Sequence, residues 1–197
     1  MAYLTQEEIE ATGFKSVGRN VRISKMASIY GASKIEIGDD TRIDDFCVLS
    51  AGEGGIVIGS FVHIAVYSSL IGAATITLED FTNISSRVAI YSSNDDYSGK
   101  WLTSPCVPKE YTNVTHGNVT ISKHVIIGVG SCILPNVKIG AGAAIGAFSL
   151  VNKDIAASVI AVGVPAKVIK ERSKEIFELE KLLIAKKEIT GTVNGEG

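Results

Sequence analysis

The sequence predicts an all-β protein: a parallel β-helix of hexapeptide repeats with a C-terminal α-helix and one long loop. Three observations predict it. Isoleucine, leucine or valine recurs every six residues along most of the chain. A small or β-branched residue follows most of these anchors four positions later. Glycine, aspartate, asparagine or serine interrupts each repeat. A helix of period 3.6 cannot keep six-residue spacing on one face, and a flat strand cannot be broken in every repeat. Hexads that are each one short strand and one corner satisfy both, and three hexads make one triangular coil.

The elements follow in order. Thr5 and Glu8 form a capping box for a short helix that Gly13 can stop, so residues 1–14 read as a helical cap. Residues 15–171 are the repeat domain. Its anchors are Val17, Ile23, Ile29; Ile37, Ile43, Leu49; Ile58, Ile64, Leu70; and Leu78, Ile84, Ile90. The register resumes at Ile121, Ile127, Ile133, Ile139, Ile145 and Val151. Ala27, Ser33, Thr41, Cys47, Val62, Ser68, Ala74 and their equivalents fill the small slots. The longer steps, Ile29 to Ile37, Leu49 to Ile58, Leu70 to Leu78 and Ile90 to Ile121, all fall at one corner, and the step from Val151 to Val162 is expected there too. The longest of them inserts an arm, residues 91–120. Residues 172–197 hold a helix from Arg172 to Glu188, with Ile176, Leu179 and Leu183 as its apolar stripe. That helix is expected to cover the open end of the stack, where unpaired edges need protection. The polar, Gly-rich end from Thr190 to Gly197 is expected to be disordered.

With 197 residues and a net charge of −2, the chain reads as one domain with no nucleic-acid partner implied by charge. It contains no apolar run long enough for a membrane span, and its acidic start does not read as a signal peptide. Cys47, Cys106 and Cys132 are an odd, scattered set, read as reduced thiols of a cytoplasmic protein. The Asn-x-Ser/Thr triplets at Asn83, Asn113 and Asn118 then read as chance matches.

The segments IIGVGS, IGAGAAIGA and GVPAKVIK, within His124 to Arg172, resemble the C-terminal coils of the hexapeptide-repeat acyltransferases, sugar acetyltransferase branch. The resemblance implies a left-handed coil, a homotrimer and acetyl-CoA as co-substrate, with no metal. It also places the arm where those enzymes carry their active-site loop. The residues suit such a ligand. Pantetheine is narrow and carries two amides, so it needs a groove of exposed backbone. Gly128, Gly130, Gly146 and Ala147 leave the wall bare, Gly163 and Pro165 shape the exit, and Lys167 and Lys170, with Arg172, bring positive charge for the phosphates. Each glycine alone is equally explained as a tight corner. In the arm, Asn94, Tyr97 and Trp101 suit a sugar or nucleotide acceptor, although an arm that only packs on a neighbouring subunit reads the same way.

The sugar O-acetyltransferases of this family place a histidine just after the strand that enters the loop. Ile90 to Tyr97 contains none. His63 should point outward below the arm, His116 ends the arm, and His124 lies at a corner beside the glycines. Asp95 and Asp96 are a solvated turn or a hold for an ammonium group. The favoured reading is therefore an N-acetyltransferase of a nucleotide-linked amino sugar for surface-polysaccharide synthesis, using Asp95, Asp96 and His63. The alternatives are an O-acetyltransferase with His63 as base, and a β-helix that only binds or assembles. The three histidines are not spaced for the zinc site of a β-helical carbonic anhydrase.

Overall fold

The computed structural model describes residues 2–193. It is a triangular prism of parallel coils. The first face stacks six strands, Ser16–Val17, Ile35–Ile37, Ile56–Ile58, Ile76–Leu78, Val119–Ile121 and Lys138–Ile139. The second stacks Arg22–Ile23, Arg42–Ile43, His63–Ile64, Asn83–Ile84, Ile126–Ile127, Ala144–Ile145 and Val159–Val162. Its last member, Lys167–Glu171, folds back antiparallel and ends the sheet. The third stacks Ser28–Tyr30, Val48–Ala51, Ser69–Gly72, Ala89–Tyr91, Cys132–Ile133 and Leu150–Val151.

The six-residue anchors form three interior columns. Ile23, Ile43, Ile64, Ile84, Ile127 and Ile145 lie one above another on the second face. Ile29, Leu49, Leu70, Ile90, Ile133 and Val151 do so on the third. Ile64, Leu70, Ile84 and Ile90 are each 0% exposed. β-Branched side chains fit this pleated stack because their χ1 is already restricted.

Three expectations need correction. The anchor of the last coil is Ile155, bridged to Ile139, and Ala161 follows it six positions later. Val162 therefore points away from the interior column, because the final step between coils shortens to four residues. At the insertion corner the second interior slot is filled by Ile35, Ile56, Ile76 and Val119, while Ser33 is exposed and Ala74 only half-buried. The C-terminal helix does not cover the open end.

The first helix, α1 (Gln6–Thr12), has Thr5 as N-cap with the full capping box and Gly13 in the left-handed region at its end. The second helix, α2 (Glu175–Val193), lies along the corner between the first and second faces. Phe177 meets the His124 ring edge-on at 5.1 Å, Glu180 receives Lys123 and His124, and Lys187 pairs with Asp40 at 2.6 Å. The packed face is thus Phe177, Glu180 and Lys187; of the expected stripe, Ile176 is half-buried, Leu183 at 41% exposure lines the groove beside Phe61, and Leu179 is 64% exposed. Val193 is still helical, so Thr190 to Val193 are not the irregular tail expected; residues 194–197 lie outside the described residues.

The corners carry aromatic rings with positive φ. Phe61, Phe81 and His124 follow one another on the corner under α2, with φ near 60° and centroids 4.6 and 4.9 Å apart. Phe46 and Tyr67 stack at 4.9 Å on the next corner. A left-handed conformation costs a non-glycine residue about 1–2 kcal/mol, and each stacked pair returns about 0.5–1.5 kcal/mol beyond its buried area.

Truncating one interior anchor tests this core. Ile64→Ala should lower unfolding free energy by about 2–5 kcal/mol, read from urea unfolding. A loss well below that range would mean that the coil collapses around the gap.

Candidate active site

The second face carries two outward columns on either side of its interior isoleucines. One runs Arg22, Arg42, His63, Asn83, Ile126, Ala144. The other runs Ser24, Asp44, Ala65, Ser85, Gly128, Gly146, each joined by its backbone amide to the coil above. The face therefore unites His63 with the glycine column expected to hold the cofactor.

His63 is held from both sides. Its Nε2 lies 2.8 Å from Asp44 Oδ2 and its Nδ1 lies 3.3 Å from Asn83 Oδ1. The imidazole is 37% exposed, whereas the Asp44 side chain is 4% exposed. Arg42 grips the same carboxylate with Nε at 2.6 Å and Nη2 at 3.0 Å. Burial alone would raise the Asp44 carboxyl, but the hydrogen bonds from Arg42 and His63 outweigh it and hold it below the ordinary carboxylate value.

The arm leaves from the end of the third face, one face away from His63 rather than above it. Its root is a two-stranded antiparallel ribbon, Ser93–Asn94 with Thr115–His116. The two aspartates differ. Asp96 accepts from the Ser98 amide at 2.8 Å, the Ser98 hydroxyl at 2.5 Å and the Asn113 amide at 3.1 Å. Those bonds, Ser98 first, hold its carboxyl below the usual value, and they tie it to the arm's own turn. Asp95 is exposed and makes no side-chain hydrogen bond or ion pair among the described residues. Tyr97 is 87% exposed and Trp101 44%. Asn94 reaches the backbone of Asp95 and lines a cleft of about 460 Å³ with His116, Asn136 and Asn152.

The cofactor residues are partly regrouped. The missing Cβ atoms of the glycines point at neighbouring coils and not into a groove: at Gly128 a Cβ would lie 2.5 Å from the Ala147 amide nitrogen, and at Gly146 2.5 Å from Val162 Cγ1. Gly130, at φ 70°, lies under the Phe148 ring. Close stacking of coils therefore requires these glycines by itself. Ala147 is exposed beside them. Gly163 and Pro165 form the turn before the antiparallel strand, where Gly163 accepts from the Leu150 amide. Lys167 and Lys170 stand exposed on that strand without an ion pair among the described residues. Arg172 is not available for phosphate, since its Nη1 donates to the carbonyls of His124, Gly142 and Ala143 at 3.0–3.1 Å.

The other two histidines lie at a corner and at the end of the arm, as expected, and both are engaged there. His124, 9% exposed, is wedged between Phe81 and Phe177 and bonded to Glu180 at 2.6 Å, so it anchors α2. His116 pairs with Ser93, Nδ1 to Oγ 2.8 Å, at the arm root. A hairpin assumed across the arm would have signalled this pairing. Asp44 escaped the sequence reading because it belongs to the coil below His63. Burial pushes the Cys47 thiol up to about 11, and that thiol is inert at neutral pH.

No protein-family model matches the chain. It is 58% identical over 180 residues to a dTDP-4-amino-4,6-dideoxy-D-glucose acyltransferase of Escherichia coli, covering 91% of this chain and 94% of that protein. AntD, an N-acyltransferase from Bacillus cereus solved in complex with dTDP and 3-hydroxybutyryl-CoA, superposes with a TM-score of 0.91 at 47% identity, covering 95% of this chain and 100% of that one. A maltose O-acetyltransferase from Clostridium difficile, at 22% identity and a TM-score of 0.60 over 86% of this chain and 75% of that one, shares the fold alone.

Two outcomes follow from the geometry. Gly146→Val should destabilise the last coils, because its side chain meets Val162; thermal unfolding and coenzyme A binding should fall together, and an undisturbed melting temperature would contradict the close approach. The ordering that Asp96 gives the arm is present above the ordinary carboxylate value of 3.8 and is lost as pH falls through its lowered folded value. Fluorescence of Trp101, the single tryptophan, should therefore stay level above about pH 4 and change below it. Asp96→Asn should remove that change.

Proposed function

The chain belongs to the hexapeptide-repeat sugar acyltransferases, and we propose that it moves an acetyl group from acetyl-CoA to the amine of a dTDP-linked amino sugar. The observation that carries the reading is the second face, where a held imidazole lies in the column beside that of Gly128 and Gly146. The Escherichia coli relative supports the amine and the nucleotide by its name, and the Bacillus cereus enzyme by the dTDP and acyl-CoA it was solved with. The latter was also solved with an aspartate replaced, and separately with a serine ten positions earlier replaced. The same spacing occurs here twice, Ser85 to Asp95 and Ser86 to Asp96. Ser85 lies in the outward column beside Asn83, and Asp95 has its carboxylate unengaged.

The acting unit is a homotrimer. The corner between the second and third faces exposes Met26 (54%), Phe46 (42%), Tyr67 (53%) and Phe148 (70%). Such a stripe marks an association surface. Three prisms meeting at that corner leave clefts between the second face of one and the third face of the next. The arm of one subunit then reaches His63 of its neighbour. Acetyl-CoA lies along Gly128, Gly130, Gly146 and Ala147, leaves past Gly163 and Pro165, and sets its phosphates near Lys167 and Lys170. Asn94, Tyr97 and Trp101 meet the nucleotide sugar, Asp95 holds the ammonium form, and Asp96 keeps the turn that presents it. No helix among the described residues is long and apolar enough to cross a membrane. Three unpaired thiols fit a cytoplasmic place in surface-polysaccharide synthesis.

The amine is favoured by its chemistry. A sugar hydroxyl needs a base before it can attack. A sugar amine with the pKa of an α-amino group, about 7.7–8.0, is already partly neutral near pH 7. The pairing of His63 with Asp44 supports O-acetylation as the second reading.

Thiol release from acetyl-CoA against dTDP-amino sugars and plain glycosides decides between them. Turnover with the amine and little with the glycoside is expected, and no turnover with either would leave a binding module. Asp95→Asn should raise KM for the amine at least as much as it lowers kcat. His63→Ala should keep measurable activity, with a loss of about 10²-fold or less. Tyr67→Glu should turn the trimer into monomer by light scattering, with activity lost alongside.

A further inference from the structure

We propose that the N-terminal end of the second face is the nucleotide subsite: Arg22 and Arg42 take the diphosphate of the acceptor, and the groove between α2 and the first coils takes its base, a pyrimidine with an imide N–H. The proposal rests on the reading that the acceptor is a nucleotide-linked sugar.

Two observations point to an anion there. Arg22 and Arg42 occupy facing positions on neighbouring strands, and like charges so placed repel. Asp44 answers Arg42 alone, through Nε and Nη2, which leaves Arg42 Nη1 without a hydrogen bond among the described residues. Arg22 is exposed and forms no ion pair among the described residues; its guanidinium lies 5.8 Å from the centroid of the Tyr3 ring. Two guanidinium groups thus share one carboxylate, which also holds His63. The column keeps a surplus of positive charge, and the planar guanidinium fork matches phosphate oxygens.

The groove beside Arg22 fits the base. It measures about 630 Å³ and has an apolar wall of Val21, Phe61 and Leu183. Its polar atoms are mostly engaged: Asp40 accepts from Asn20 Nδ2 at 3.2 Å and from Lys187 at 2.6 Å. What remains is Asn20 Oδ1, an acceptor with no partner among the described residues. A flat, largely apolar ring that offers one N–H meets those conditions. The imide of thymine or uracil is such a ring, and cytosine lacks that hydrogen. The column then orders the ligand. Arg22, Arg42, His63 and Asn83 lie on successive coils, about 4.8 Å apart. With base and phosphates at Arg22 and Arg42, the sugar lies over His63 and Asn83, on the coil from which the arm departs. The order base, phosphates, sugar is the ligand's own connectivity.

The test is calorimetric titration of the whole chain with dTDP, UDP, CDP and dTMP, beside KM for a dTDP-amino sugar in acetyl-CoA turnover. The wild-type protein should bind dTDP and UDP, and hold CDP about tenfold more weakly than UDP. Arg22→Gln should weaken dTDP about ten- to hundredfold and dTMP less, and raise KM for the dTDP-amino sugar with kcat nearly unchanged. Leu183→Trp should fill the groove and weaken dTDP and dTMP together while coenzyme A still binds. Equal affinity for CDP and UDP, or unchanged dTDP binding in Leu183→Trp, would overturn the base assignment. An Arg22→Gln protein that binds dTDP like wild type would overturn the phosphate assignment. If those losses are absent while the wild-type protein turns over the dTDP-amino sugar, the proposal falls and the reading of the acceptor stands. If the wild-type protein neither binds dTDP nor turns over that sugar, both fall. The wild-type comparison of UDP with CDP gives an answer even where Arg22→Gln is unstable.

Discussion

Everything in this molecule depends on one constraint: each strand of a coil must sit in register over its counterpart in the next, 16 to 21 positions later except across the arm. Ile23 lies over Ile43, Ile43 over Ile64 and Ile64 over Ile84, and the backbone bonds of each coil go to the coil beside it. Side chains along a strand alternate between inside and outside, so a slip of one residue would exchange Ile64 with His63. The interior column and the functional column are one decision. The same constraint explains why insertions gather at a single corner. The arm adds residues between Ile90 and Ile121 yet returns to register, because Tyr91 and Val119 are left on the two faces that flank that corner.

The other two corners are paid for differently. Both are turned by residues with positive φ, several of them aromatic, and ring stacking offsets the backbone cost. On the first of them the stack ends at His124, and α2 lies over it through Phe177 and Glu180. On the second, Phe46, Tyr67 and Phe148 stay exposed among the described residues, with only Arg87 over the Tyr67 ring at 5.6 Å. The chain thus lays its long helix along one aromatic corner and leaves the other exposed. That choice leaves the second face, with His63, open.

The repeat made most of the core legible before any coordinates, because a period of six is set by the coil and not by local propensity. Ile155 escaped because the last step between coils is short, and Ala161 because a small residue ends the isoleucine column. The helix stripe misled in part: Leu179 is exposed, and the packed face is anchored by an acid, a base and one ring. The glycines were visible, but their cause was not: the coil beside them, 2.5 Å from a missing Cβ, fixes them without help from a ligand. His63 was legible as outward. Its partner Asp44 was not, since 19 positions separate them and only the coil length brings them together.

The acceptor chemistry and the setting of His63 bear on each other. A hydroxyl must lose its proton as it attacks, so its base has to be in place at the start. A neutral amine attacks first and becomes acidic only when the C–N bond forms, so its site needs somewhere to put a proton afterwards. Both ring nitrogens of His63 face oxygen acceptors, Asp44 on one side and Asn83 on the other. Asp95, exposed on the arm, has no side-chain partner among the described residues, which is what the proposed hold on an ammonium requires. On the proposed amine reading, a carboxylate on the arm suffices to hold the acceptor before attack, and the missing histidine at the arm's entry is then no loss.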